Sequence, residues 1–210
     1  MPATADLIAL DWWTIPQALW LFLPAYMANM APVFAMKLFP NWNGRIDGGR
    51  NWRDGRAVLG AGKTWRGVVA GSVLGAATAF GQSFIRLTDV PFSDFGHGFT
   101  PIAPLILGLG FGLGAIVGDA TKSFFKRRTG REGGSPWVPF DQLDFVVGGL
   151  LFAAIASVIL QPWTTGPIWW WQEFAGTHWP RLVVLLLATP LLHFIVNIIG
   201  YKLRLKKVPW

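Results

Sequence analysis

The chain has 210 residues, 52% of them hydrophobic and 14% charged, with a mean hydropathy of +0.41. That balance excludes an ordinary soluble domain, and the length suits a single domain over residues 1–210. The absence of cysteine excludes a disulfide framework, thiol catalysis and cysteine-ligated metal. The net charge of +7 sits between apolar runs, which points to a membrane surface or an anionic substrate rather than nucleic acid.

Five apolar segments occur in order: Ile15 to Phe39, Val68 to Ile85, Ile102 to Phe125, Leu143 to Leu160 and Leu182 to Tyr201. Each approaches the roughly twenty helical residues needed to cross a bilayer. The expected fold is an all-α integral membrane protein, a bundle of about five transmembrane helices with two basic cytoplasmic loops. The first segment is no cleavable signal: it lacks a basic leader, follows Asp6 and Asp11, and is too long. Inside it, Asn29 lies between Pro24 and Pro32, which bend a helix. Asn29 either contacts a lipid headgroup or satisfies backbone groups that the prolines free.

The first loop carries Arg45, Arg50, Arg53, Arg56, Lys63 and Arg66, and contains the stretch "LGAGKTWRG" from Leu59 to Gly67. A P-loop requires glycine at position 57, which is Ala57, and a strand before it, so this is no P-loop. Gly60 and Gly62 still free backbone amides, and Lys63 adds a cation just before a helix N-terminus, a setting that favours anions. In the second segment Gly67, Gly71 and Gly75 recur every fourth residue, as do Gly110, Gly114 and Gly118 in the third. Small residues at that spacing let helices approach closely in lipid.

From Ile102 to Val117 a helix rises only about 24 Å, so the third span must continue through Asp119 toward Phe125. Asp119 therefore lies at the cytoplasmic interface, with Lys122, Ser123 and Lys126 on its face. Arg127, Arg128 and Arg131 follow, and Asp141 and Asp144 then share one face at the start of the fourth segment. The aspartates either complement helix charge and pair with Lys122 or form a site. Ionisable groups within spanning segments are usually functional. Carboxylate oxygens suit Mg²⁺ or another divalent cation, and Lys and Arg suit phosphate, which together point to phosphoryl or nucleotidyl transfer.

In the fifth segment His193 and Asn197 are four apart, lining the same cavity or hydrogen-bonding between helices. His97 and His178 lie in outer loops, so no three-histidine metal site forms. The basic tail, with Lys202, Arg204, Lys206 and Lys207, joins the two basic loops on the cytoplasmic side. The N-terminus is then outside, and Trp12-Trp13 and Trp169-Trp170-Trp171 fall at the outer interface. No internal repeat is evident, which weakens a transporter reading. A lipid or anion transporter and a lipid-binding scaffold are the non-enzymatic alternatives.

The stretches "PAYMANMAPV", "LGAGKTWRG", "GDATKSFFKRRTG", "WVPFDQLDFVVGG" and "KKVPW" carry a family resemblance. The chain resembles the CDP-archaeol synthases, within the cytidylyltransferase group that includes CDP-diacylglycerol synthases, over nearly its whole length. The shared signature reads Gly118-Asp119, Ser123, Lys126-Arg127 and Asp141…Asp144 here. Arg66 and Gln142 depart from the diacylglycerol-type pattern and favour the archaeol-type branch.

The resemblance implies transfer of a cytidylyl group from CTP to an archaeol-type, unsaturated di-O-geranylgeranylglyceryl phosphate, giving CDP-archaeol and pyrophosphate. Phosphatidic acid is the alternative acceptor. It implies Asp119, Asp141 and Asp144 as ligands for Mg²⁺ or another divalent cation, with Lys122 beside them in the catalytic set. Lys63, Thr64, Arg66, Ser123, Lys126, Arg127 and Arg128 are candidate substrate contacts, with Asn29, His193 and Asn197 near the lipid. The implied partners are CTP, a lipid phosphate and membrane lipids, with no nucleic acid. The setting is the cell membrane, with the active site and C-terminus cytoplasmic, and a homodimer is compatible with the pattern.

Overall fold

A computed structural model describes residues 12–85, 102–163 and 166–204. Thr100, His97 and the "KKVPW" tail lie outside the described residues. The described chain is helical: α1 (Thr14–Leu38), α2 (Trp65–Gln82), α3 (Ala103–Arg128), α4 (Phe140–Leu160), α5 (Trp169–Phe174) and α6 (Pro180–Lys202). Single 3₁₀ turns flank α5, and the described residues hold no strand beyond two isolated bridges in the first basic loop.

The five long helices coincide with the five apolar segments. Among the described residues, α1, α3, α4 and α6 are long and apolar enough to cross a membrane. The 18-residue α2 falls outside that group, since Arg66 and Gln82, together with its near-neutral Gly, Ser and Thr, dilute its apolar residues. Helix ends differ from the apolar limits where polar caps act. Thr64 accepts a hydrogen bond from the Gly67 amide at 3.3 Å, so α2 starts before its apolar run. The basic residues Lys126, Arg127 and Arg128 suit the C-terminal end of the α3 dipole and stay helical.

Helix α3 is the hub, packed against α1, α2 and α4. It carries two glycine seams. On one, Gly108 and Gly112 meet Gly71 and Gly75 of α2; a β-carbon on Gly75 would lie 2.7 Å from the Gly108 carbonyl oxygen. On the other, Gly114 and Gly118 meet α4; a β-carbon on Gly114 would lie 2.3 Å from the Gly148 oxygen, and one on Gly118 2.2 Å from the Asp144 oxygen. The expected Gly110, Gly114 and Gly118 row thus faces α4, whereas Gly71 and Gly75 meet a second α3 row at Gly108 and Gly112, and Gly67 faces Pro32 of α1.

The core between α1, α3 and α4 is aromatic. Phe22 meets Phe111 edge-on at 5.6 Å and Phe145 at 6.1 Å. Beyond it Trp169 is buried against Phe111 and Phe174, so this indole serves the core rather than the membrane interface, while Trp12 and Trp171 are exposed. The sparser α6 is tied to α1 by Tyr26 and Thr189, whose hydroxyls are 2.6 Å apart. At the helix start, buried Arg181 donates to the Glu173 carboxylate and, at 2.9 Å, to Gln17 Oε1.

The seam makes a direct expectation. Gly114→Ala should destabilise the protein by about 1–3 kcal/mol through overpacking, whereas Gly81→Ala, whose added methyl meets nothing within 4 Å, should be neutral or stabilising. Thermal unfolding in detergent checks this, and equal midpoints for both variants would contradict the seam.

Candidate functional site

The site is assembled from two loops, the end of α3, the start of α4 and inner positions of α1 and α6. The first basic loop is a small hairpin, bridged at Arg45–Thr64 and Asn51–Ala57. Asp47 holds its base. One carboxylate oxygen accepts from the Gly49 amide at 2.9 Å, and the other from the Leu59 and Gly60 amides at 2.9 and 3.3 Å. Slight burial raises the Asp47 pKa, but these amides and the Arg45 charge outweigh it and hold the carboxyl below its usual range. Gly60 turns the chain with φ +97°, a conformation that suits glycine, and Lys63 then reaches the Asp119 carboxylate.

The second loop runs from the end of α3 to the start of α4. The α3–α4 seam places Gly118 against the Asp144 carbonyl, which sets Asp119 and Asp144 side by side across the two helices. The Lys122 ammonium lies at the focus: Nζ is 3.2 Å from Asp119 Oδ1, 2.8 Å from Asp141 Oδ1 and 2.9 Å from Asp144 Oδ2. Lys126 sits 3.0 Å from Asp141 Oδ2, which also accepts from the Trp137 amide. Three carboxylates are thus balanced by Lys63, Lys122 and Lys126. Such pairing lets charges persist in a partly buried setting.

Among the described residues, no three His, Cys, Asp or Glu side chains form a ready-made metal cluster, because the lysine stands between the aspartates. The donors nonetheless suit a hard divalent ion. One carboxylate oxygen from each aspartate is directed at the Lys122 ammonium, and the contact of buried Asp144 Oδ2 with Lys122 is ionic, without hydrogen-bond alignment.

A polar cavity of about 660 Å³ opens over this cluster. The two loops supply Gly60, Gly62, Gly133 and Gly134, while α3 contributes Ser123, Lys126 and Arg127. Its inner wall is Asn29 of α1 with His193 and Asn197 of α6. The same three residues line a second, apolar cavity of about 360 Å³ between α1 and α6, walled by Leu23, Met27, Met30, Leu192 and Val196. His193 Nδ1 and Asn197 Nδ2 are 3.0 Å apart, so the pair is bonded within α6 and also lines the cavity.

Three expected substrate contacts are engaged elsewhere. Thr64 caps α2. Arg66 is buried and donates to the carbonyls of Phe39 and Pro40, closing the end of α1. Arg128 turns away to Asp54 and the Ala57 carbonyl and is absent from the cavity wall. Asp47, absent from the residues singled out in the sequence, and Arg56, counted there only as loop charge, organise the first loop; the Asp47-Gly48-Gly49 run is the local signal for the former.

Fold and site together define a helical bundle with spans long and apolar enough to cross a membrane, whose charged chamber meets an apolar groove. Comparison with known proteins sharpens this. The family model CarS-like, CDP-archaeol synthase, matches residues 13–168. A CDP-archaeol synthase of Methanospirillum hungatei is 42% identical, over 90% of this chain and 99% of that protein. One of Haloarcula marismortui is 45% identical, over 94% and 97%. A solved structure described as an intramembrane enzyme for archaeal membrane lipids biosynthesis superposes with a TM-score of 0.60 at 30% identity, covering 88% of this chain and 94% of that one. The chain belongs to the CDP-archaeol synthase family and is a lipid cytidylyltransferase.

The Asp47 bonds predict an acid response. Because its pKa is depressed on folding, its contribution is complete above the ordinary carboxylate value near 4 and is lost as pH falls through the folded value. Hydrogen exchange at Leu59 and Gly60, corrected for intrinsic rate, should show constant protection above the ordinary carboxylate range and loss as pH falls through the depressed folded value. Asp47→Asn should weaken that protection at neutral pH and abolish its dependence on this titration.

Proposed function

We propose that this protein transfers the cytidylyl group of CTP to an archaeol-type lipid phosphate, giving CDP-archaeol and pyrophosphate. The observation that carries this reading is the wall shared by the two cavities at Asn29, His193 and Asn197. A phosphate at that wall has a charged chamber on one side and an apolar groove for its chains on the other.

The lipid phosphate is already an anionic nucleophile, so no Ser, Cys or His nucleophile is required. Its oxygen bonds to the α-phosphorus of CTP, and the bond from that phosphorus to the β-bridging oxygen breaks, releasing pyrophosphate. Lys63, Lys126 and Arg127 neutralise the triphosphate, and the backbone amides of Ala61 and Gly62, just past the Gly60 turn, donate to its oxygens. Asp119, Asp141 and Asp144 would hold Mg²⁺ or another divalent ion, which supplies Lewis-acid stabilisation of the phosphoryl oxygens. Lys122, within the same cluster, balances their charge and keeps them oriented. The basic loops lie on the cytoplasmic side in this reading, where CTP is available, and the N-terminus lies outside.

Purified protein incubated with CTP, Mg²⁺ and a panel of lipid phosphates, phosphatidic acid included, tests the reaction and the acceptor. Asp119→Asn, Asp141→Asn and Asp144→Asn should each lower kcat by about 100-fold or more while the protein remains folded. Near wild-type turnover in all of them at saturating Mg²⁺ would refute the carboxylate assignment.

Asn29 sits at the junction of the two cavities, so Asn29→Leu should raise KM for the lipid phosphate several-fold more than KM for CTP, with little change in kcat. Equal effects on both substrates would give Asn29 a purely structural role.

A further inference from the structure

The two basic loops do more than flank the site; they grip each other through a reciprocal pair of arginines. Arg56 Nη1, from the hairpin, donates to the Arg128 carbonyl at 2.7 Å and, at 3.4 Å, to that of Arg127. These carbonyls are at the C-terminal end of α3, where a helix has acceptors without intrahelical partners and a negative dipole end. In return, Arg128 Nη2 donates to the hairpin carbonyls of Ala57 and Arg56, at 2.5 and 3.3 Å, and Nη1 lies 3.0 Å from Asp54 Oδ1. Phe124 reinforces the contact, with Arg128 stacked 4.9 Å over its ring and Trp52 edge-on at 5.2 Å.

We infer that Arg56 and Arg128 are positioning residues that latch the first loop onto the end of α3 and so place the Gly60–Lys63 segment over the nucleotide site. This rests on the assignment of the polar cavity to CTP. Neither arginine lines that cavity, yet both flank segments that do. The chain leaves the latch at Ala57, passes Leu59 and Gly60 on the Asp47 carboxylate, and reaches Lys63 and the Thr64 cap within seven residues. With one end tied to α3 and the other to α2, that segment has little freedom. Released from α3, it keeps its sequence but loses its aim. The latch is built from guanidinium–carbonyl forks, which lysine does not reproduce.

The inference predicts a selective kinetic defect. Arg56→Ala and Arg128→Ala should each raise KM for CTP about tenfold, with KM for the lipid phosphate within about twofold of wild type. Because both arginines close one latch, the double variant should be no worse than the poorer single one; two independent phosphate contacts would instead multiply to about 100-fold. Arg128→Lys, which keeps the charge, should behave like Arg128→Ala.

The chain has no cysteine, so Asp54→Cys/Arg128→Cys can be joined by a short, reducible bis-thiol linker. Linking should restore KM for CTP, and reduction should raise it again in the same folded molecules. Trypsin cleavage at residues 50–53 in the absence of CTP gives an activity-free readout and should accelerate in each alanine variant. Unchanged cleavage, multiplicative KM effects, equal KM effects on both substrates, or full rescue by Arg128→Lys would overturn the latch. Faster cleavage alongside a wild type inert toward CTP would overturn the nucleotide assignment and leave the latch standing.

Discussion

Everything at the site depends on one backbone contact, the approach of α3 to α4 at Gly118 and Asp144. No β-carbon fits there, since it would lie 2.2 Å from the Asp144 oxygen. Helices separated by ordinary side chains stand some 8–10 Å apart, and short aspartate side chains on such helices would not share one ammonium. The seam brings Asp119 of one helix beside Asp144 of the other, and Lys122 and Asp141 follow from helical spacing alone. The glycines that let the bundle pack in lipid are therefore the same ones that create its chemistry.

That closeness raises an electrostatic problem, which the lysines answer. Carboxylates crowded at the edge of a low-dielectric bundle repel one another and lose hydration. Lys63 arrives from the first loop, Lys122 from within α3 and Lys126 one turn on, so all three aspartates share Lys122 while Asp119 and Asp141 each have a second cation. The cluster is close to neutral as it stands. Surplus positive charge lies at its rim with Arg127, where the cavity opens.

Much of this was legible in the sequence because it follows from local periodicity. The apolar runs located the long helices, every-fourth glycines marked the seams, and the spacing of Asp119, Lys122 and Lys126 put them on one face. The illegible part consists of side chains that bond to distant carbonyls. Arg66, Arg128 and Thr64 looked like phosphate ligands because arginine and threonine often are. Their actual partners, Phe39, Ala57 and Gly67, are backbone groups that carry no residue-type signal. Asp47 escaped notice for the same reason, since the amides it binds twelve and thirteen residues away exist in any sequence. The Trp169 burial was invisible because an indole serves a core and an interface equally well.

The groove between α1 and α6 has an energetic meaning of its own. Its edges include the partly exposed side chains of Phe34 and Val196, and α6 presents Leu191, Phe194 and Ile195 outward. Pulling a two-chain lipid into water costs roughly 0.8 kcal/mol for every methylene, far beyond what one headgroup contact returns. In the proposed reaction, a groove that joins the charged chamber from the side would spare that extraction altogether. Only the phosphate would change solvent, and the hydrocarbon would stay in its own phase.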